Sequence, residues 1–183
     1  MFRLFPDYTN TYQKKDFSCF IISSNLYNNS YSVKKMVKDL PLGEITLRKY
    51  EKPYDSSKRE LVRKVCLSLG LLQPGDSRDI VVDMLMILED ARLGKKWLNS
   101  FEIRDLVEEL RKKNSLEARG LAESNIRRQL KRLRDSMLVD KQENKYRISE
   151  FAPLSELFEM KIEKFLIPQT IERIKEYLGK LDN

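Results

Sequence analysis

The chain of 183 residues contains no histidine. That removes the commonest general base at neutral pH and the commonest metal ligand. Cysteine is nearly as scarce: Cys19 and Cys66 are the only two, far apart and each among apolar neighbours. No zinc site of ordinary ligand spacing can be written from them, and buried free thiols are expected in preference to a disulfide. None of the six glycines belongs to a loop ending Gly-Lys-Ser/Thr, so a phosphate-cradling loop is missing. Gly70 and Gly75 instead bracket Leu71-Leu72-Gln73-Pro74, a turn between helices. No apolar run approaches the roughly 20 residues needed to cross a bilayer. The opening Met1-Phe2-Arg3-Leu4-Phe5-Pro6-Asp7 also lacks the basic start and long apolar core of a secretory leader. The expectation is a cytoplasmic protein with no membrane partner and no cofactor. Carboxylate pairs such as Glu108-Glu109 fall on a helix face expected to be solvated, so the chain reads as a non-enzyme.

What the sequence does hold is positive charge. A net charge of +7 and a pI near 9.3 favour an anionic partner, and a hydrophobic content of 41% is enough for one good core with appendages. The charge is concentrated in Ser124-Asn125-Ile126-Arg127-Arg128-Gln129-Leu130-Lys131-Arg132-Leu133-Arg134, which carries five cations and no acid. At about 100° per residue, Ile126, Leu130, Leu133 and Met137 fall within one narrow arc, while Ser124, Arg127, Arg128 and Lys131 project from the other side. One side packs and the other reaches out. An apolar strand (137–139), a polar turn (140–144) and an alternating strand (145–148) are expected to follow.

The elements upstream are readable in the same way. Ser56 or Ser57 caps a helix from Lys58 to Leu69, and Asp76 or Ser77 caps the next, Ile80 to Leu93. That second helix is apolar almost all round and is expected to be buried from several directions. Trp97-Leu98 forms a short strand. Asn99 or Ser100 then caps a helix from Ser100 to Lys112, with Glu102 three residues after Asn99 as a capping box requires. Ile103, Leu106, Val107 and Leu110 share its inner face. Its outer face carries Glu102, Asp105, Glu108 and Glu109 against Arg104 and Arg111, an acidic balance that phosphate would repel.

In this order of elements, Asp79 to Ile148 resembles a winged helix-turn-helix domain of the kind found in bacterial and archaeal transcription regulators. About seventy residues are covered, by a pattern of amphipathic elements and not by an invariant signature. The segment Asn114 to Glu123 is longer than the usual turn between the two helices, leaving room for an extra helical turn or a flexible loop. The resemblance implies a mainly α protein that binds double-stranded DNA in a sequence-specific way, as a transcription regulator acting by occupancy. Ser124, Asn125 and Arg128 would meet base edges. Arg127, Lys131, Arg134, Lys145 and Arg147 would neutralise phosphates, and Arg132 and Lys141 complete the set of candidate contacts. Winged domains also serve as protein-interaction modules in replication, segregation and RNA-processing assemblies, and fold alone does not separate the two.

The flanks differ in character. Residues 1–57 hold six of the eight tyrosines, with strand character at Phe17–Ser23 and Glu44–Tyr50 and a short helix through Val33, Met36, Val37 and Leu40. They read as a small β-containing appendage for a protein partner, an effector or a second nucleic-acid contact. Residues 58–150 form the central domain. In residues 151–183, Leu154, Leu157, Phe158, Ile162, Phe165 and Leu166 recur at helical spacing, Pro168 interrupts, and Ile171, Ile174, Leu178 and Leu181 resume. These C-terminal helices are read as a homodimer interface through Leu157, Phe158, Ile162, Phe165, Ile171, Ile174 and Leu178, with a clasp onto the chain's own Lys58 helix as the alternative.

Overall fold

A computed structural model describes residues 41–182. The expected strand at Phe17–Ser23, the helix around Val33 to Leu40, Cys19 and the tyrosines before residue 41 lie outside them. The described chain is mainly helical with one small antiparallel sheet.

Helix α1 (Lys58–Ser68) starts at Ser57, whose hydroxyl accepts from the Glu60 amide at 3.2 Å. It stops at Gly70, where φ is +70° and an added Cβ would come within 2.6 Å of the Thr46 side chain, so glycine is required twice over. Helix α2 (Ile80–Leu93) is the centre of the core, with Val81, Val82, Met84, Leu85 and Leu88 buried. Its expected cap differs. Asp79 occupies the cap position without a capping bond, and Asp76 accepts from the Arg78 amide in the preceding turn. Strand β1 is only Leu98–Asn99. Asn99 then caps helix α3 (Ser100–Lys113), accepting from the Phe101 and Glu102 amides, while Glu102 accepts from the Asn99 amide at 2.7 Å. The expected capping box is present.

Residues 114–122 form no extra helical turn. Helix α4 (Glu123–Asp135) follows, then β2 (Val139–Gln142) and β3 (Lys145–Ile148), and the sheet order is β1-β3-β2. The turn between β2 and β3 is shorter than the expected 140–144. Only Glu143 and Asn144 remain, both at positive φ (47° and 63°), as a tight two-residue hairpin loop demands.

Expectations at both flanks are corrected. Glu44–Tyr50 is no strand but an extended arm held by side chains: Ile45 and Tyr50 pack on the core, and Arg48 donates to the Leu67 and Leu72 carbonyls. Residues 41–182, the arm included, belong to one compact unit. After the hairpin, helical backbone runs without interruption from α5 (Leu154–Leu157) through a π-helical segment (Phe158–Leu166) into α6 (Ile167–Leu181). The expected break at Pro168 does not occur. The Ile167 amide bonds the Ile162 carbonyl five residues back, so the ladder has already widened where proline, lacking an N–H, enters. Leu157 and Ile162 are buried in the chain's own core, and Phe158 packs against it. Leu157 and Ile162 are thus removed from the expected dimer face, because the body that precedes the helix already covers them.

Candidate nucleic-acid interface

Helix α4 divides as its periodicity predicts. Ile126, Leu130 and Leu133 are fully buried, while Ser124, Arg127, Arg128 and Lys131 are exposed. The first turn is anchored to α3: Glu123 accepts from the Ser100 hydroxyl at 2.7 Å and from the Arg127 guanidinium at 2.8 Å. Burial alone would raise the Glu123 carboxyl, but those two donors outweigh it and hold it below its usual range. Arg127 also lies 5.9 Å from the Phe101 ring centre. It is exposed, yet partly neutralised by its own helix.

Asn125 has a structural task as well as a surface position. Its Nδ2 donates to the Gly120 carbonyl at 2.7 Å, and its Oδ1 accepts from Arg128 at 2.7 Å and Gln129 at 3.3 Å. The amide expected at a base edge is thus engaged in holding the 114–122 loop to α4. Gly120 sits at φ +88°, and a Cβ there would press to 3.1 Å on that amide. Arg128 and Ser124 face a groove of about 670 Å³, whose other wall is the turn before α2, with Asp76 and Arg78. The Arg78 side chain is 69% exposed. Sequence reasoning missed Arg78, and no local signal marks it, because it lies more than forty positions from α4 in the chain.

Two of the expected contacts are turned inward. Arg132 donates to the Gly70 carbonyl at 2.9 Å and to Gln129 at 3.1 Å. Arg147 lies 4.5 Å from the Trp97 ring centre and 4.6 Å from that of Phe151, and its Nη2 is 3.1 Å from Asp140. Arg132 holds a backbone carbonyl and Arg147 lies in an aromatic clamp, so both are half-buried and engaged within the chain. On the hairpin, Lys141 and Lys145 are exposed, with the Lys141 ammonium 5.9 Å from the Tyr146 ring. Arg134 is exposed at the end of α4, 3.5 Å from Asp135. The outward cations are therefore Arg127, Arg128, Lys131, Arg134, Lys141 and Lys145. The structure does not make one unbroken patch of the ten expected residues.

Arg111 is a further correction. Expected on the outer face of α3, it is buried and donates to the Asp79 carboxylate at 3.1 Å, to the Asp83 carboxylate, and to the Glu117 carbonyl at 2.7 Å. Arg59 of α1 reaches both carboxylates, and Arg63 reaches that of Asp79. Burial would raise the Asp79 carboxyl, but the hydrogen bonds from Arg59 and Arg111 prevail and lower it. This buried cluster ties α1, α2 and α3 together and, through Glu117, steadies the loop that leads into α4. The remaining outer face of α3, with Glu102, Asp105 and Glu109 exposed, keeps the acidic character that disfavours phosphate.

Among the described residues no helix is long and apolar enough to cross a membrane. Comparison with protein-family models, with curated proteins and with solved structures returns no match for this chain.

Proposed function

We propose that this chain binds double-stranded DNA through a winged helix-turn-helix, with α3 as the supporting helix, α4 as the recognition helix and the β2–β3 hairpin as a short wing, and that it regulates transcription by occupancy. The observation that carries the reading is the division of α4. Three fully buried residues lock its phase while Ser124, Arg127, Arg128 and Lys131 stand outward beside a hairpin that bears Lys141 and Lys145. A helix is the right width for the major groove, and a guanidinium near its N-terminal end can bond guanine at two atoms. Arg128 is therefore the reader, with Ser124 beside it. Lys131, Arg134 and the two hairpin lysines are positioners on phosphate. Arg78, across the groove from Arg128, adds a backbone contact from the turn before α2. The acidic outer face of α3 keeps the duplex on the α4 side.

The test is binding to random duplex, single-stranded DNA and RNA, side by side across a salt series. The expected result is preference for duplex with an affinity that falls steeply with salt. No binding at low salt overturns the reading in favour of a protein-interaction module.

A further inference from the structure

Helix α4 opens on an acid. Glu123 is its first residue, and Arg127, Arg128, Lys131, Arg132 and Arg134 all follow it. A carboxylate at a helix N-terminus is favoured by the unpaired amides there, which accounts for the residue type but not for its bonds. Glu123 Oε1 accepts from the Ser100 hydroxyl of α3 at 2.7 Å and from Arg127 Nε at 2.8 Å. Ser100 is itself 7% exposed, so the carboxylate is tied to the body of the protein as well as to its own helix. Its other oxygen, Oε2, is shut off from solvent, and among the described residues no donor reaches it. Within bonding distance the charge of Glu123 is therefore met by one hydroxyl and one cation. That cation also lies against the Phe101 ring. The next arginine is placed differently: Arg128 donates to the neutral amide of Asn125, which leaves its charge unopposed. Lys131, one turn further on, forms no ion pair among the described residues.

We infer that Glu123 is a positioning residue that holds Arg127 back from the phosphate backbone, and so sets the duplex affinity of α4 below what its cations alone would give. The inference rests on the DNA reading above. A guanidinium can bond a carboxylate or a phosphate, and one already paired has less to gain from the second. The Arg127 side chain is 58% exposed, and a solvated pair of that kind is weak by itself. The hold comes from the other partner. Were Arg127 to leave for a phosphate, Glu123 would keep only the Ser100 hydroxyl, with its inner oxygen still unbonded. A charged group left short of partners away from water costs more than a surface pair is worth. The two adjacent arginines thus divide: Arg128 is free to read, and Arg127 is withheld.

The test is the affinity of the full chain for random duplex across a salt series, with melting curves to show that each variant is folded. Glu123→Gln keeps an acceptor for Ser100 and removes the charge. It should bind random duplex roughly five- to tenfold more tightly at about 0.1 M salt, because one more phosphate is engaged. For the same reason the gain should be about 3.5-fold larger at 50 mM than at 200 mM salt. In an Arg127→Ala background the same substitution should change affinity by less than about twofold, since the two residues act as a coupled pair. Arg127→Ala alone should weaken binding less than Lys131→Ala does. Glu109→Gln removes the same charge from the outer face of α3, where Glu109 is exposed, and should not reproduce the gain. An unchanged affinity for Glu123→Gln, an equal gain with Arg127 present or absent, or an equal gain from Glu109→Gln overturns the inference and leaves the DNA reading standing. Absence of duplex binding at low salt by both the unsubstituted chain and Glu123→Gln overturns the DNA reading, and this inference with it.

Discussion

The guanidinium of Arg132 donates to the backbone carbonyl of Gly70 at 2.9 Å, tying the helix with the exposed cations to the end of α1. Its neighbour Lys131 is exposed on the same helix, so two adjacent cations have opposite surroundings.

Arg132→Ala should therefore lower stability by about 1–2 kcal/mol through the lost charge-assisted bond and the carbonyl left behind, and should change DNA affinity little per folded molecule. Lys131→Ala should leave the melting curve unchanged, weaken all duplexes alike and make the salt slope shallower by roughly one. Arg128→Ala should cost about 1–3 kcal/mol on a cognate site and relax sequence preference. Paired melting and binding curves for the three variants check these assignments. If all three leave duplex affinity unchanged at low salt, the α4 reading is lost.

Removal of Arg111 should be far more damaging than removal of any exposed arginine. Arg111→Ala leaves Asp83, fully buried, facing Arg59 alone, and a broken buried ion cluster costs about 3–5 kcal/mol. Arg104→Ala, whose pair with Asp105 is largely solvated, should cost less than about 1 kcal/mol. Denaturant titrations of the two variants test the contrast directly.

Acid should unfold the protein in part through Asp79. Its carboxyl sits below its ordinary value in the folded state because the arginine hydrogen bonds outweigh burial. The unfolded value is about 3.9, so the stabilisation is present above that pH and is lost as pH falls through the lower folded value. Melting temperatures should drop on that limb, and Asp79→Asn should be less stable at neutral pH with a flatter acid limb. An acid limb identical to that of the unsubstituted protein would rule out this origin.

Two buried positions report on the core. Leu133→Ala should cost about 2–5 kcal/mol by lost burial and a residual cavity. Burial pushes the Cys66 thiol up to about 12, so at about pH 8 a thiol reagent should label Cys66 only when denaturant is present. Mapping of labelled peptides by mass spectrometry separates it from Cys19. Ready labelling of Cys66 in the native protein would mean that α1 opens far more easily than its packing implies.

Those features that depend on neighbours in the chain were legible in the residues alone. The phase of α4 follows from the spacing of Ile126, Leu130 and Leu133. The cap of α3 follows from Asn99 and Glu102, three apart, and the burial of α2 follows from its nearly continuous apolar run. In each case the decisive partners are within about one helical turn, where backbone geometry sets who meets whom. The fates of the arginines were not legible. Arg111, Arg132 and Arg147 have the same chemistry as Arg127 and Arg128, and a long cationic side chain can reach water or a buried acceptor with equal ease. What separates them is distant: Asp83 and Gly70 lie 28 and 62 positions away from the arginines they bind. Pro168 teaches the same point for the backbone. Its missing N–H predicts a break, yet the widened ladder ahead of it lets the helix continue, in a segment where Leu157 and Ile162 pack on the core. Local periodicity thus determined which helices form and which way they face. Only the tertiary structure decided which cations remain outside, because that depends on acceptors and rings that folding brings beside them, for Arg111 and Arg132 from remote parts of the chain.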